Sequence, residues 1–140
     1  MRGKLARSFV FLVLVSAAAF AQTGVVLRGL DGQMVNPADA RGRVVVLAFG
    51  ATWTPLAAKE LPAFQQLADR YANRGVTFYW VSINTAKEGA RNFAADADLR
   101  AFASRSGLKV PVLRDPEQAA YRAYDVTGLP ATCATPGQTS

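Results

Sequence analysis

Three features of the sequence predict a layered α/β domain built on parallel central strands. The runs "RVVVLAFG" and "VTFYWVSIN" are apolar throughout and rich in β-branched and aromatic residues. Such runs suit strands covered on both faces. Between and beyond them lie segments that read as helices, the longest with apolar residues at three- and four-residue spacing. Finally, the order strand, helix, strand, helix, short strand, helix alternates along one chain, as in layered α/β domains.

The chain of 140 residues is long enough for one core. Its first segment, "MRGKLARSFVFLVLVSAAAFAQTG", reads as a leader. Arg2, Lys4 and Arg7 form a positive start, Ser8 to Phe20 is small or apolar, and Ala19-Phe20-Ala21 offers a cleavage site. Residues 1–21 are therefore expected to be a signal peptide, cleaved after Ala21, with 22–140 as the domain. A spanning helix needs roughly 20 apolar residues, and this run is shorter. The expected location is periplasmic or secreted, with no stable membrane span after cleavage; the alternative is anchorage by an uncleaved signal.

Further along, Asp31-Gly32 between "VVLRGL" and "QMV" signals a hairpin. "RVVVLAFG" is the first central strand. Residues from Pro55 to about Ala72 read as a helix, with Thr54 as N-cap, Pro55 at the first helical position, and Leu56, Leu61, Phe64, Leu67 and Tyr71 as its apolar stripe. Pro62 lies within it and Gly75 closes it. Val76 to Asn84 is the second central strand. "TAKEGARNFAADA" reads as a polar loop with little structure of its own. "DLRAFASRSG" is a short helix with Asp96 or Asp98 near its start and Gly107 as its stop. "VPVLRD" is a short strand, and "PEQAAYRAYDV" a helix opened by Asp115 and Pro116.

Composition excludes several kinds of chemistry. The chain has no histidine, which removes imidazole acid–base catalysis and histidine metal sites; no metal or cofactor is expected. Without the three basic residues of the leader, 13 of the 16 remain against 10 acidic ones, a net charge of +3. They are scattered, so nucleic-acid binding is not expected. Cys133 is the sole cysteine, so no disulfide forms within the chain even where disulfides persist.

The motifs "LDGQMVNPADARGRVVVLAFGATW", "KELP", "VTFYWVSIN" and "VLRDPEQAAYRAYDVTGLPAT", in this order, resemble the thioredoxin-like fold. The resemblance is to its TlpA/ResA branch of thiol–disulfide oxidoreductases, within the redoxin group that also holds peroxiredoxins. It covers roughly residues 24–132 and implies a central mixed sheet flanked by helices. It also implies a Cys-x-x-Cys after the tryptophan, where a helix N-terminus stabilises a thiolate. Here that motif reads Thr54-Pro55-Leu56-Ala57. By position Trp53 matches the tryptophan, Thr54 the nucleophile and Ala57 the resolving cysteine. Glu60 matches a glutamate used in proton handling, and Pro130 the proline whose preceding bond is cis. The peroxiredoxin signature Pro-x-x-x-Thr-x-x-Cys meets Gly50 and Ala57 at its proline and cysteine positions.

Local chemistry offers plainer readings of the same residues. Thr54 caps a helix, Ala57 is a good helix former, and Glu60 is an acidic residue early in a helix. Trp53 is either a binding surface or packing, and Pro130 is structural beside backbone that pairs with extended chains in the family. Cys133 falls where relatives carry an inward apolar residue. The tail, residues 133–140 of "ATCATPGQTS", lacks the apolar alternation of a strand, and Pro136-Gly137 is expected to break it after about four residues. A domain truncated before the C-terminal hairpin and helix would leave "RVVVLAFG" with an open edge, and a frameshifted reading frame would explain the tail.

Three functions follow. The first is a redox-inactive domain binding extended polypeptide or a partner protein domain near Trp53 and Pro130. The second is an active redoxin working through Cys133 or a partner thiol. The third is a non-functional fragment.

Overall fold

The computed structural model describes residues 24–40 and 42–136. The expected leader and its cleavage site lie outside the described residues, as do residues 137–140. Among the described residues no helix is long and apolar enough to cross a membrane.

The Asp31-Gly32 signal produces a hairpin of β1 (Leu27–Gly29) and β2 (Met34–Val35). Gly32 adopts a φ of 85°, open to glycine without steric cost, and Asp31 Oδ1 accepts from Gln33 N at 3.0 Å. The apolar runs become β3 (Val44–Gly50) and β4 (Val76–Ser82), parallel and in register from Val44 opposite Val76 to Gly50 opposite Ser82. β5 (Val112–Arg114) lies parallel on the far side of β4. The sheet is completed by β6 (Ala131–Pro136), antiparallel to β3, and runs β2-β1-β5-β4-β3-β6.

This last strand corrects the sequence expectation. β6 spans six residues, with Pro136 paired opposite Val44, so the outer edge of β3 is covered. Its residues, although small, alternate half-buried and exposed as the pleat of a strand dictates, and the backbone ladder with β3 holds it in place.

The period-2 alternation of β3 and β4 divides the core between the two faces. Ala48, Phe78 and Trp80 face α1 (Pro55–Tyr71) and α2 (Asp96–Arg105), meeting Leu61, Phe64, Leu99 and Phe102. Trp80 stacks on Phe102 at 5.4 Å between ring centroids, and Phe64 meets Phe78 edge-on at 5.6 Å. Val45, Leu47, Phe49, Val81 and Leu113 face the other way, toward Ala120 of α3 (Ala119–Ala123). Burying each such large side chain stabilises by about 1.5–3 kcal/mol.

Two helix expectations change. On α1 the stripe turns: Leu67 is exposed, and Gln65 is buried instead. Gln65 Oε1 accepts from Lys109 N at 2.7 Å and Val110 N at 3.0 Å, pinning the connection into β5. The third helix begins at Ala119 rather than at Pro116. Asp115 is still its opener, because its carboxylate accepts from Ala120 N at 3.1 Å and Tyr121 N at 2.8 Å.

Candidate functional site

Parallel strands place their C-terminal ends together, and the loop leaving β3 emerges there into α1. Gly50 makes this exit tight. A Cβ on it would lie 2.8 Å from Trp80 Nε1, so only glycine fits over the indole. Ala51 is fully buried, and Ile83 N donates to Gly50 O at 3.0 Å, tying the exit to the end of β4.

Thr54 occupies the N-cap position with an extended backbone (φ −82°, ψ 119°), as its residue type suggests. Its side chain does not cap, which corrects the expected role. The hydroxyl donates back to Ala51 O at 2.8 Å, closing a buried turn ahead of the helix. Ala57 lies in the first turn of α1 and Glu60 further along it, exposed.

A buried asparagine organises this loop. Asn84, fully buried just beyond β4, accepts from Thr52 N at 3.1 Å and donates to Thr52 Oγ1 at 3.0 Å. Its Oδ1 also accepts from Ser82 Oγ at 2.9 Å. Asn84 Nδ2 reaches Asn92 as well, at 3.3 Å from both its backbone oxygen and Oδ1. Asn92 Nδ2 donates to Ile83 O at 2.9 Å, and Asn92 Oδ1 accepts from the indole Nε1 of Trp53.

The segment expected to lack structure is therefore ordered around Asn92. Thr85 forms a bridge with Phe93, and the backbones of Thr85 and Asn92 are hydrogen-bonded at 2.9 Å. Trp53, 56% exposed, is consequently neither buried packing nor a loose side chain. Sequence reasoning missed Asn84 and Asn92. The available signal was an asparagine closing a buried apolar run and a second one within the polar loop that follows.

Pro130 follows a cis Leu129–Pro130 bond, as the resemblance implied. Because Ala131 pairs with Phe49, Pro130 stands at the level where β3 gives way to the Trp53 loop. An open groove of about 460 Å³ lies beside it, lined in part by Tyr124, Val126, Leu129 and Cys133. Cys133 pairs with Leu47, roughly 10 Å back along the sheet from Gly50 at the usual strand rise. It is half-buried against the Phe49 side of the core, and burial raises its thiol pKa. The sheet thus brings Trp53, Thr54 and Pro130 to one end, while Cys133 lines the groove beside Pro130 but lies three residues back from the level of Gly50, away from the loop that enters α1. Among the described residues no three metal-ligating side chains converge.

A second polar cluster braces the loop from the other side. Arg114, buried at the end of β5, donates to Asn84 O at 3.3 Å, Thr85 O at 3.2 Å and Ala94 O at 2.7 Å. It pairs with Asp96 at 2.7 Å, and Arg28 grips the same carboxylate with two hydrogen bonds. Hydrogen bonding from Arg28, followed by that from Arg114, holds the Asp96 pKa down to about 2 against the opposing effect of burial.

Comparison with known proteins bears on this frame. The profile of the AhpC/TSA family matches residues 16–138. The thiol–disulfide oxidoreductase ResA of Geobacillus thermodenitrificans is 31% identical over 107 residues, covering 76% of this chain and 56% of that protein. ResA of Bacillus subtilis is 28% identical over 107 residues, covering 76% and 55%. The chain thus spans just over half the length of these relatives. Among solved structures, a secreted Mycobacterium tuberculosis disulfide oxidoreductase homologous to E. coli DsbE superposes with a TM-score of 0.62 at 23% identity, covering 85% of this chain and 87% of that one. A Sinorhizobium meliloti protein gives 0.67 at 20%, covering 80% and 61%. These two share the fold.

Proposed function

From the premise that this chain belongs to the AhpC/TSA family, with a thioredoxin-like fold and ResA-type relatives, we propose that it is a redox-silent domain of the thiol–disulfide oxidoreductase family. It binds an extended polypeptide or a partner protein at the end of the sheet marked by Trp53 and Pro130. One observation carries the reading. Where a thiolate would draw on the N-terminus of α1, Thr54 sits with its hydroxyl turned away into a hydrogen bond with Ala51 O.

Disulfide exchange needs an accessible thiolate, then a second thiol to resolve the mixed disulfide. Cys133 is the chain's one sulfur nucleophile, and it stands on β6 with its thiolate disfavoured by burial. Threonine does not replace it, because a hydroxyl nucleophile requires a neighbouring base and the chain has no histidine. What the frame retains is recognition: an exposed, tethered aromatic ring and a groove beside Pro130. Backbone beside such a groove pairs readily with an extended chain. The positive leader and its A-x-A site support periplasmic or secreted action.

Insulin reduction by dithiothreitol tests the reading. The purified protein is expected to leave the rate at that of the reagent alone. Acceleration that disappears in Cys133→Ala would establish the active-redoxin alternative instead.

A further inference from the structure

We infer that Asn92 is a positioning residue, which locks the Trp53 indole by its N–H edge and leaves the carbon face of the ring as the contact surface of the site. The contact role rests on the binding function proposed above; the lock itself does not.

Tryptophan has one polar group, a single N–H donor. In this protein that donor is spent on Asn92 Oδ1 although the ring is 56% exposed. The ring therefore offers a partner no hydrogen bond, only apolar and stacking contact. Suitable ligands are extended polypeptides presenting proline, aliphatic or aromatic side chains.

The orientation of the Asn92 amide follows from its partners. Nδ2 donates to Ile83 O at 2.9 Å, while Oδ1 receives Trp53 and lies 3.3 Å from Asn84 Nδ2. The flipped amide would set oxygen against oxygen at Ile83 and N–H against N–H at Trp53. Asn92 is in turn fixed by Asn84, which is fully buried and holds Thr52 beside the ring. The indole is thus anchored to the end of β4 through two side chains. A ring held this way loses little freedom when a ligand packs on it, which is how positioning favours affinity.

Trp80 is 1% exposed, so acrylamide quenching of the protein's fluorescence reads Trp53. In the wild-type protein, NMR is expected to show the Trp53 indole N–H exchanging with water more slowly than a free indole. Asn92→Ala should raise quenching and add a fast component to the anisotropy decay. With carboxymethylated insulin B chain as a thiol-free extended probe, Asn92→Ala should weaken binding about fivefold to tenfold, the effect of one hydrogen bond. The same change in a Trp53→Phe background should have no further effect.

Free-indole exchange in the wild type would overturn the lock without any variant having to fold. Unchanged anisotropy in a folded Asn92→Ala protein would also overturn it. An equal binding loss in both backgrounds would overturn the positioning role. If the wild type does not bind the probe, or Trp53→Ala binds it equally well, the contact role and the function beneath it fail, whereas exchange and anisotropy decide the lock independently.

Discussion

Asn84 and Thr52 exchange two hydrogen bonds, one from the Thr52 backbone N–H to Asn84 Oδ1 at 3.1 Å and one from Asn84 Nδ2 to Thr52 Oγ1 at 3.0 Å. This reciprocal pair joins the loop leaving β3 to the end of β4, and it fixes the turn that Trp53 and Thr54 complete. Replacing Asn84 with alanine strands the buried Ser82 hydroxyl and the Thr52 amide. Urea denaturation should show a loss of about 2–4 kcal/mol, the cost of several unmet hydrogen bonds.

Gly50 and Trp80 are in close approach, and the neighbouring group is a rigid indole in a packed core. Gly50→Ala should therefore destabilise by about 1–3 kcal/mol through overpacking. The buried Trp80 should report it as a shift in its emission, because its ring must move to admit the methyl group.

Asp96 gives the protein an acid limb. Its pKa is lowered to about 2, chiefly by the Arg28 hydrogen bonds, while the unfolded side chain titrates near its ordinary value of about 3.9. A depressed carboxyl contributes stability that is present above the unfolded pKa and is lost as pH falls through the folded one. Between about pH 4 and pH 2, the wild type should lose on the order of 1–2 kcal/mol more than Asp96→Asn, after allowing for solvent around a partly exposed pair. At neutral pH the variant should be the less stable of the two, because it leaves the buried Arg114 without its counter-charge. Denaturant midpoints across that pH range check both statements.

Burial raises the Cys133 thiol pKa, so the thiolate is scarce at neutral pH. Iodoacetamide should alkylate Cys133 in the folded protein several-fold more slowly than free cysteine at pH 8, and urea should abolish the difference. Fast alkylation would contradict its placement on β6.

Much of this was legible in the sequence because it depends on local pattern. Apolar runs without alternation specified β3 and β4, and Asp31-Gly32 specified the first hairpin; the cis bond before Pro130 came only from the family resemblance of "VTGLPAT". Less legible were features in which polar side chains reach across the chain. Asn84 closes the second apolar run and Asn92 lies inside the polar loop that follows, and their roles arise only when β4 ends beside the Trp53 loop. Gln65 took an inward position on α1 because the Lys109 and Val110 amides needed an acceptor, a demand that no helical spacing reveals. Thr54 stood at the expected cap, yet its hydroxyl donates to Ala51 O and accepts from no backbone N–H of α1. β6 looked too small and polar to be a strand because pairing with β3, rather than its own side chains, holds it in place.

The central claim is that the frame of an exchange site persists here without its sulfur chemistry. The most direct measurement is insulin reduction by the wild type beside Thr54→Cys/Ala57→Cys, which returns two thiols to the start of α1. The account predicts no acceleration by the wild type and a clear gain by the double variant, because the loop and the helix terminus are already in place. Turnover by the wild-type protein, at a rate the double variant does not exceed, would contradict it.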